Sequence, residues 1–457
     1  MAGAIRSGNG RLMDAGAAVR RRPELASARA LVRTISHDGR GIARLDGKTV
    51  FIEGALPGED VEFRIQHRHR DYDEAQVQNI LSASPERVTP LCEHFGVCGG
   101  CNLQHLAPAA QLSAKQQTLL DNFKRIGHVQ PEKILAPLTG PVWGYRRRAR
   151  LSVRQVPVKG RVLVGFVEKY SPHVTDTHRC ETLHPKIGNL IQPLATLLGE
   201  LSIADRIPQI EIAVGDTATV LVLRTLSPIS KADHGKLSVF EWAHDLRFYL
   251  QPGRKDTAVP LNGERASLSY RLPDWDVEIT FEPADFIQVN AEINRQLVNR
   301  VIEVLQVEPG HRVLDLFCGL GNFTLPLARV AKEAVGVEGE IGLVQRAHAN
   351  AERNCFSNVR FHQADLFTDQ KDALWLKQTY HRLLLDPPRA GAREILACLG
   401  PRLPQRVVYV SCHPATLARD TAVLVQEHGY RLLSAGVLDM FPHTAHVESI
   451  AVLEKVA

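Results

Sequence analysis

The chain has 457 residues, 44% of them hydrophobic, which is enough for more than one core and makes two or three domains the expectation. It contains no run of about 18 consecutive apolar residues, and its start lacks the apolar stretch of an export signal; both argue against membrane insertion and secretion and for a cytoplasmic protein. The net charge of +5 is uneven: residues 1–150 carry 22 Lys and Arg against 15 Asp and Glu, and the remainder carries 33 against 35, so the first third suits a polyanion such as RNA or DNA.

The opening MAGAIRSGNGRLMDAGAAVRRRPEL is rich in Gly, Ala and Arg without apolar periodicity, so residues 1–25 are expected to form a mobile arm rather than part of a core. Arg20, Arg21 and Arg22 could touch phosphate or have no role. An Arg-rich start also resembles an organelle transit peptide, but Asp14, Glu24 and the missing amphipathic pattern weigh against that.

Residues 26–85 show short β-branched runs broken by Asp-Gly and Pro-Gly turn signals, a spacing that predicts a small all-β barrel. Arg64, His67, Arg68, His69 and Arg70 crowd one segment, as a nucleic-acid contact or a solvated strand edge would.

Residues 86–285 open with a cysteine-bearing loop. Cys92, Cys98 and Cys101 are set in a glycine-rich turn, a spacing that suits metal or iron–sulfur ligation better than a disulfide in a cytoplasmic protein. Cys180, in THRCETLHP, is the nearest candidate for a fourth ligand, and His94, His105 or His178 could replace one cysteine. Four thiolates also describe a structural zinc site, which spacing cannot separate from a [4Fe–4S] cluster. A helix is predicted from Pro108 to about Ile126. Short strands such as RARLSVRQV and TATVLVLRTL then predict a mixed, largely antiparallel central domain.

From residue 286 onward the strands RVLDLFC, EAVGVEG, VRFHQAD, RLLLDPP and RVVYVSC alternate with helical segments, the pattern of a doubly wound α/β sheet. The first strand runs into Asp315-Leu316-Phe317-Cys318-Gly319-Leu320-Gly321, where glycines let the backbone approach a ligand. Glu338 closes the next strand, where a carboxylate could hold both hydroxyls of a ribose. Thr324 occupies the third glycine position that a dinucleotide would need, and Asp315 would face phosphates unfavourably. S-adenosylmethionine, cationic and without phosphate, fits better, with Asp365 as a polar group near its adenine.

Cys412 ends the strand RVVYVSC, at the edge where ligands of open α/β sheets bind. Asp386 ends another strand on the same rim, and Glu448 begins the last. A thiol and carboxylates converging on a methyl donor suit methylation at uracil C5: the thiolate adds to C6, activated C5 takes the methyl, and a carboxylate removes the C5 proton. Cys412 is the expected nucleophile and Glu448 the expected base. Asp-Pro-Pro alone resembles the signature of exocyclic amine methyltransferases, but Arg389 stands where those place an aromatic residue. The cysteine loop lies far in sequence from this rim, which favours a structural or RNA-orienting role for a [4Fe–4S] cluster. Cys318, Cys355 and Cys398 are expected to be core fillers.

With DLFCGLGNFTLPLA, LLLDPPRAG, VVYVSCHPATLARD and HVESIAVLEK in that order, the chain resembles the RNA uracil-C5 methyltransferases over nearly its whole length. The resemblance implies an OB-like TRAM barrel, a central mixed α+β domain with an iron–sulfur loop, and, over 286–457, a Rossmann-like class I methyltransferase sheet. It implies that Cys92, Cys98, Cys101 and Cys180 hold a [4Fe–4S] cluster, and that Gln288, Phe317, Asn322, Glu338, Asp365 and Asp386 line the S-adenosylmethionine and base pocket. Barrel and cluster together are similar to the branch that methylates uracil 1939 of 23S ribosomal RNA; the same chemistry on a tRNA or another rRNA uracil is the alternative. A monomer without an obligate protein partner is expected. The arm before the barrel departs from the family pattern.

Overall fold

The computed structural model describes residues 27–254 and 257–456, so the expected arm over residues 1–25, with Arg20, Arg21 and Arg22, lies outside the described residues. The chain divides into two compact units, 27–34 with 40–84, and 35–39 with the rest from Pro85 onward.

The first unit is built on a six-stranded sheet in which Ser27–Leu31 pairs with Asp60–Arg68, then Tyr72–Ser82, Lys48–Glu53, Gly41–Leu45 and Thr34–Ile35. The strict alternation of Val61, Phe63 and Ile65 along one strand puts all three on the inner face, where they meet Val50, Ile52 and Ala43 in one core. Asp46 (φ 50°) and Gly47 (φ 84°) make the two-residue connection between Gly41–Leu45 and Lys48–Glu53, a turn that needs positive φ at both positions. The segment 27–35 pairs with Asp60–Arg68 at one end of this order and with Gly41–Leu45 at the other, and Arg33 N donates to Ile42 O at 2.8 Å, so the strands curl round toward the barrel expected from the sequence. Arg64, His67, Arg68, His69 and Arg70 are all exposed, and His69 stacks on Tyr72 at 4.4 Å.

The second unit carries two large sheets. One has six strands, in the order Val259–Pro260, Arg247–Gln251, Thr219–Arg224, Gln209–Val214, Arg148–Val156, Arg161–Gly165; it is antiparallel except where the helix Lys231–His244 crosses over between Thr219–Arg224 and Arg247–Gln251. One face packs on that helix and on Ile191–Gly199 through Leu237, Leu194 and Leu198. The other face sends Ala213, Val220, Val222 and Tyr249 into the same core as Ile293, Leu297 and Val301 of the helix Ala291–Leu305. The central and C-terminal regions therefore share a core and form one compact unit.

The second sheet has eight strands. Val359–Gln363, Glu333–Glu338, Arg312–Leu316, Arg382–Leu385 and Arg406–Ser411 run parallel, and Glu448–Lys455 is inserted antiparallel between Arg406–Ser411 and Tyr430–Leu438. Both faces of the four inner parallel strands are buried, which explains their largely apolar runs, whereas Val359–Gln363 at the edge is partly exposed. From Arg312–Leu316 the chain winds outward to Glu333–Glu338 and Val359–Gln363, then returns to the opposite side at Arg382–Leu385. The crevice at that switch point is where open α/β sheets bind ligands.

Two segments depart from the sequence-based boundary at residue 286. The helix Pro108–Asn122, its last turn widened over Phe123–Gly127, buries Leu119 and Phe123 with Leu417 and Tyr430, and Lys133–Ile134 adds the eighth strand to the C-terminal sheet. The hairpin Ser269–Leu272/Val277–Thr280 is bonded to the helix Ile341–Arg353, whose Asn350 Oδ1 accepts from Thr280 N at 2.9 Å. Of the three cysteines read as core fillers, Cys318 and Cys398 are buried but Cys355 is exposed, at φ 57° where the helix Ile341–Arg353 has ended.

Candidate active site

The strand Arg312–Leu316 ends in a turn that is left-handed at Phe317 (φ 64°), Gly319 (φ 53°) and Gly321 (φ 90°), which swings the backbone amides round to face the next strand. Gly319 N donates to Glu338 Oε2 at 3.1 Å, and the other carboxylate oxygen accepts from Gly339 N (2.8 Å) and Glu340 N (3.0 Å), so Glu338 is held rigidly at its strand end. Asp315 is fully buried behind the turn. Burial pushes its carboxyl up to about 8 against the hydrogen bond from Thr324 Oγ1 at 2.5 Å.

Asn322 is fixed by a reciprocal amide pair with Asn294 (2.9 and 3.0 Å) and by the Tyr270 hydroxyl, which donates to its Oδ1 at 2.9 Å. Asp365 is exposed and accepts from Phe367 N at 3.0 Å, and the rings of Phe367 and Phe317 lie 5.7 Å apart.

Across the switch point, Cys412 follows the strand Arg406–Ser411 directly, and His413 caps the next helix by accepting from Thr416 N. Ser411 pairs with Ser449 in the antiparallel ladder, so Cys412 and Glu448 stand at the same end of adjacent strands. Register thus brings nucleophile and base candidates together although 36 positions separate them in the chain. Glu448 is buried; burial first, and then the neighbouring Asp386, push its carboxyl up to about 8, with Arg389 opposing. Burial pushes Asp386 up to about 7. The Cys412 thiol is also raised by burial, then by Glu448 and Asp386, while the Arg389 guanidinium pulls it back. Arg389 Nη2 lies 3.2 Å from His446 Nδ1.

Turn and rim face one cavity of about 1370 Å³, and Gln288, Phe317, Asn322, Glu338, Asp365, Asp386, Cys412 and Glu448 all line it. That volume exceeds the 300–1,000 Å³ or so typical of a single small-ligand site and has room for a nucleoside-bearing donor beside an extruded base. Sequence reasoning missed Tyr270 and Asn294, which orient Asn322 from segments with no motif of their own. It also missed Phe441, Thr444 and His446, although they stand just before Glu448 in FPHTAHVE.

Cys92, Cys98, Cys101 and Cys180 are half-buried free thiols that line a second recess with Phe95, Phe166 and Arg146. Gly99 lets the loop lie flat, since a Cβ there would meet Val167 O at 2.8 Å. Burial raises the thiols of Cys92 and Cys98 and pushes that of Cys101 up to about 12, with the other three cysteines adding to the rise at Cys101. Beside them His94 Nε2 accepts from His178 N at 3.1 Å, so its lone pair is engaged, and His105 is buried. Cys101, Arg146 and Phe166 also line the large cavity. The recess therefore adjoins the large cavity, although its cysteines lie far from Cys412 in sequence.

The family model described as tRNA (Uracil-5-)-methyltransferase matches residues 109–456, and a TRAM domain model matches 27–77. The chain belongs to the RNA uracil-C5 methyltransferase family. Within that family it is 54% identical to a protein of Alkalilimnicola ehrlichii named 23S rRNA (uracil(1939)-C(5))-methyltransferase RlmD, over 93% of this chain and 95% of the relative. It is 53% identical to the Stenotrophomonas maltophilia protein of the same name, over 92% and 96%. Among solved structures it resembles the Pyrococcus abyssi tRNA (uracil-54, C5)-methyltransferase in complex with S-adenosyl-L-homocysteine, with TM-score 0.72 and 25% identity over 93% of this chain and 99% of that one. The chain is accordingly an S-adenosylmethionine-dependent methyltransferase with an N-terminal TRAM domain.

Proposed function

We propose that this enzyme methylates C5 of uracil 1939 in 23S ribosomal RNA, with Cys412 as nucleophile and Glu448 as base. The chemistry rests on the convergence of Cys412, Glu448 and Asp386 in one cavity with the Gly319–Glu338 turn, and the choice of RNA rests on relatives named for that uracil. Bound S-adenosylmethionine would supply an electrophilic methyl, with Glu338 accepting its ribose hydroxyls and Gln288, Phe317, Asn322 and Asp365 shaping its pocket.

In the reaction the Cys412 sulfur bonds to C6 of the extruded base, and the C5=C6 electron pair makes C5 nucleophilic. Once C5 carries the methyl, Glu448 takes the C5 proton, the double bond re-forms and the C6–S bond breaks, returning Cys412 as thiolate. A carboxyl raised to about 8 is well matched to this proton removal near neutral pH. Asp386, also raised, is suited to hydrogen-bonding the base edge.

The four recess thiols fit a [4Fe–4S] cluster: burial first, and then three neighbouring sulfurs, oppose loss of the Cys101 proton, a cost that bound iron would offset. Held by Cys92, Cys98, Cys101 and Cys180, such a cluster would tie two chain segments into the cavity wall. Zinc is the second reading, since the donor set alone suits both. The enzyme is proposed to act as a cytoplasmic monomer; among the described residues no helix is long and apolar enough to cross a membrane.

The test is methyl transfer from labelled S-adenosylmethionine to 23S rRNA lacking C5 methyls. Label at C5 of one uracil, lost in Cys412→Ala, is the expected result; label on an exocyclic amine, or indifference to Cys412, would refute the mechanism. For the recess, anaerobically isolated protein should be brown, and colourless protein with stoichiometric zinc would reverse the assignment.

A further inference from the structure

The segment Asp439–Val447 leads directly into Glu448 and supplies Phe441, Thr444 and His446 to the catalytic cavity, so its placement sets where the base stands. Within this irregular connection Thr444 Oγ1 donates to Phe441 O at 3.0 Å and accepts from His446 N at 3.3 Å. Further support comes from a distant part of the chain.

Asn102, next to Cys101, accepts from Ala445 N through Oδ1 at 2.9 Å, while the amides of Asn102 and Leu103 both donate to His443 O (3.1 and 3.0 Å). From the helix Pro108–Asn122 the buried Gln111 accepts from His443 N at 2.8 Å and returns its amide to Leu103 O (3.0 Å) and Leu106 O (2.8 Å). One helical turn on, Lys115 Nζ donates to Asp439 Oδ1 (2.8 Å) and Phe441 O (3.0 Å), both partners being almost fully buried. Every one of these bonds ties the segment before the base either to the thiol-bearing loop or to the helix that follows it. His443 sits at φ 65° and stacks on Trp143 at 3.8 Å, a strained conformation that needs external restraint.

We propose that Asn102 is a positioning residue for Glu448, coupling the thiol-bearing loop to the base so that displacement of that loop slows proton removal from C5 without preventing attack by Cys412. Cys412 directly follows a separate strand, Arg406–Ser411, and none of these bonds touches it. The inference rests on the assignment of Glu448 as base and holds whatever ion or cluster the thiols carry. In the affected step the base takes the C5 proton, that electron pair forms C5=C6, and sulfur leaves as thiolate. A misplaced base therefore leaves the methylated RNA attached to the enzyme.

The experiment follows covalent enzyme–RNA adduct on denaturing gels with an unmethylated 23S rRNA transcript, comparing wild type, Glu448→Gln and Asn102 variants. Asn102→Ala, which removes both the bond from Ala445 and the one that Nδ2 donates to Asp38 O at 2.6 Å, is expected to lower kcat by about tenfold, with adduct accumulating and S-adenosylmethionine binding close to wild type. Asn102→Ser, too short to reach Ala445, must behave like the alanine, whereas Asn102→Asp keeps the acceptor for Ala445 but loses the donor to Asp38 O, so it must turn over faster than the alanine variant without reaching wild type. Adduct in Glu448→Gln but none in the Ala and Ser variants overturns the coupling alone. No adduct in Glu448→Gln removes Glu448 as base, and the coupling with it.

Discussion

The catalytic rim and the neighbouring recess both contain buried thiols, yet their surroundings give those thiols different uses. At the rim a single thiol, Cys412, sits with two carboxyls and the Arg389 guanidinium, so its proton is contested by charges of both signs. In the recess burial is the largest influence on Cys101, opposed next by the Gln104 hydrogen bond, with three other sulfurs then adding to the rise. A single sulfur among ionisable neighbours suits reversible bond formation, whereas several sulfurs facing one another suit ligation of a cation as thiolates. The neighbours, more than the residue type, determine the chemistry.

The largest break in this contrast should come from Cys412→Ala, expected to lower methyl transfer on the order of 10⁴-fold with the visible absorption of the recess unchanged. Cys101→Ser should do the opposite first, bleaching absorption or releasing metal. Its activity loss should be smaller, and should include a rise in KM for RNA, because Cys101 also lines the catalytic cavity. Iron, zinc and label are measured on the same preparations.

A subtler change concerns pH. Glu448 must lose its proton to act, so kcat should climb with pH to a plateau above about 8. Because Asp386 is one cause of the raised value, Asp386→Asn should move that limb to lower pH whatever it does to the plateau. A limb that stays in place would detach Asp386 from the base. The smallest effect is expected in the N-terminal sheet, where Arg64→Ala and Arg68→Ala should each weaken RNA binding a few-fold and lower the salt dependence by about one counterion, leaving kcat unchanged. Filter binding across a salt series reads this directly.

Much of the rim was legible because an α/β sheet brings its ligand-facing residues to strand ends, where Glu338, Asp386 and Cys412 each close or follow an apolar run. The curled sheet of the N-terminal unit was equally legible from alternation and Asp-Gly turns. Legibility failed where partners are set by packing between segments without pattern. Tyr270 reaches Asn322 from a hairpin 52 positions earlier, and the helix Pro108–Asn122 belongs to a sheet that starts nearly two hundred residues later. Sequence distance likewise says nothing of where the cysteine loop sits: Cys101 lines the same cavity as Cys412.

By itself, then, the sequence pointed to the kinds of element, to the two carboxylates and one thiol proposed for the reaction, and to the four-cysteine set, since each depends on residue type and local periodicity. Only the tertiary structure decided their company. The Ser411–Ser449 register that sets Cys412 beside Glu448, the burial that lifts Glu448 to about 8, and the bonds from Asn102 and Gln111 to the segment before it all arise between residues far apart in the chain. Such contacts depend on how faces pack and strands register, which no local pattern encodes.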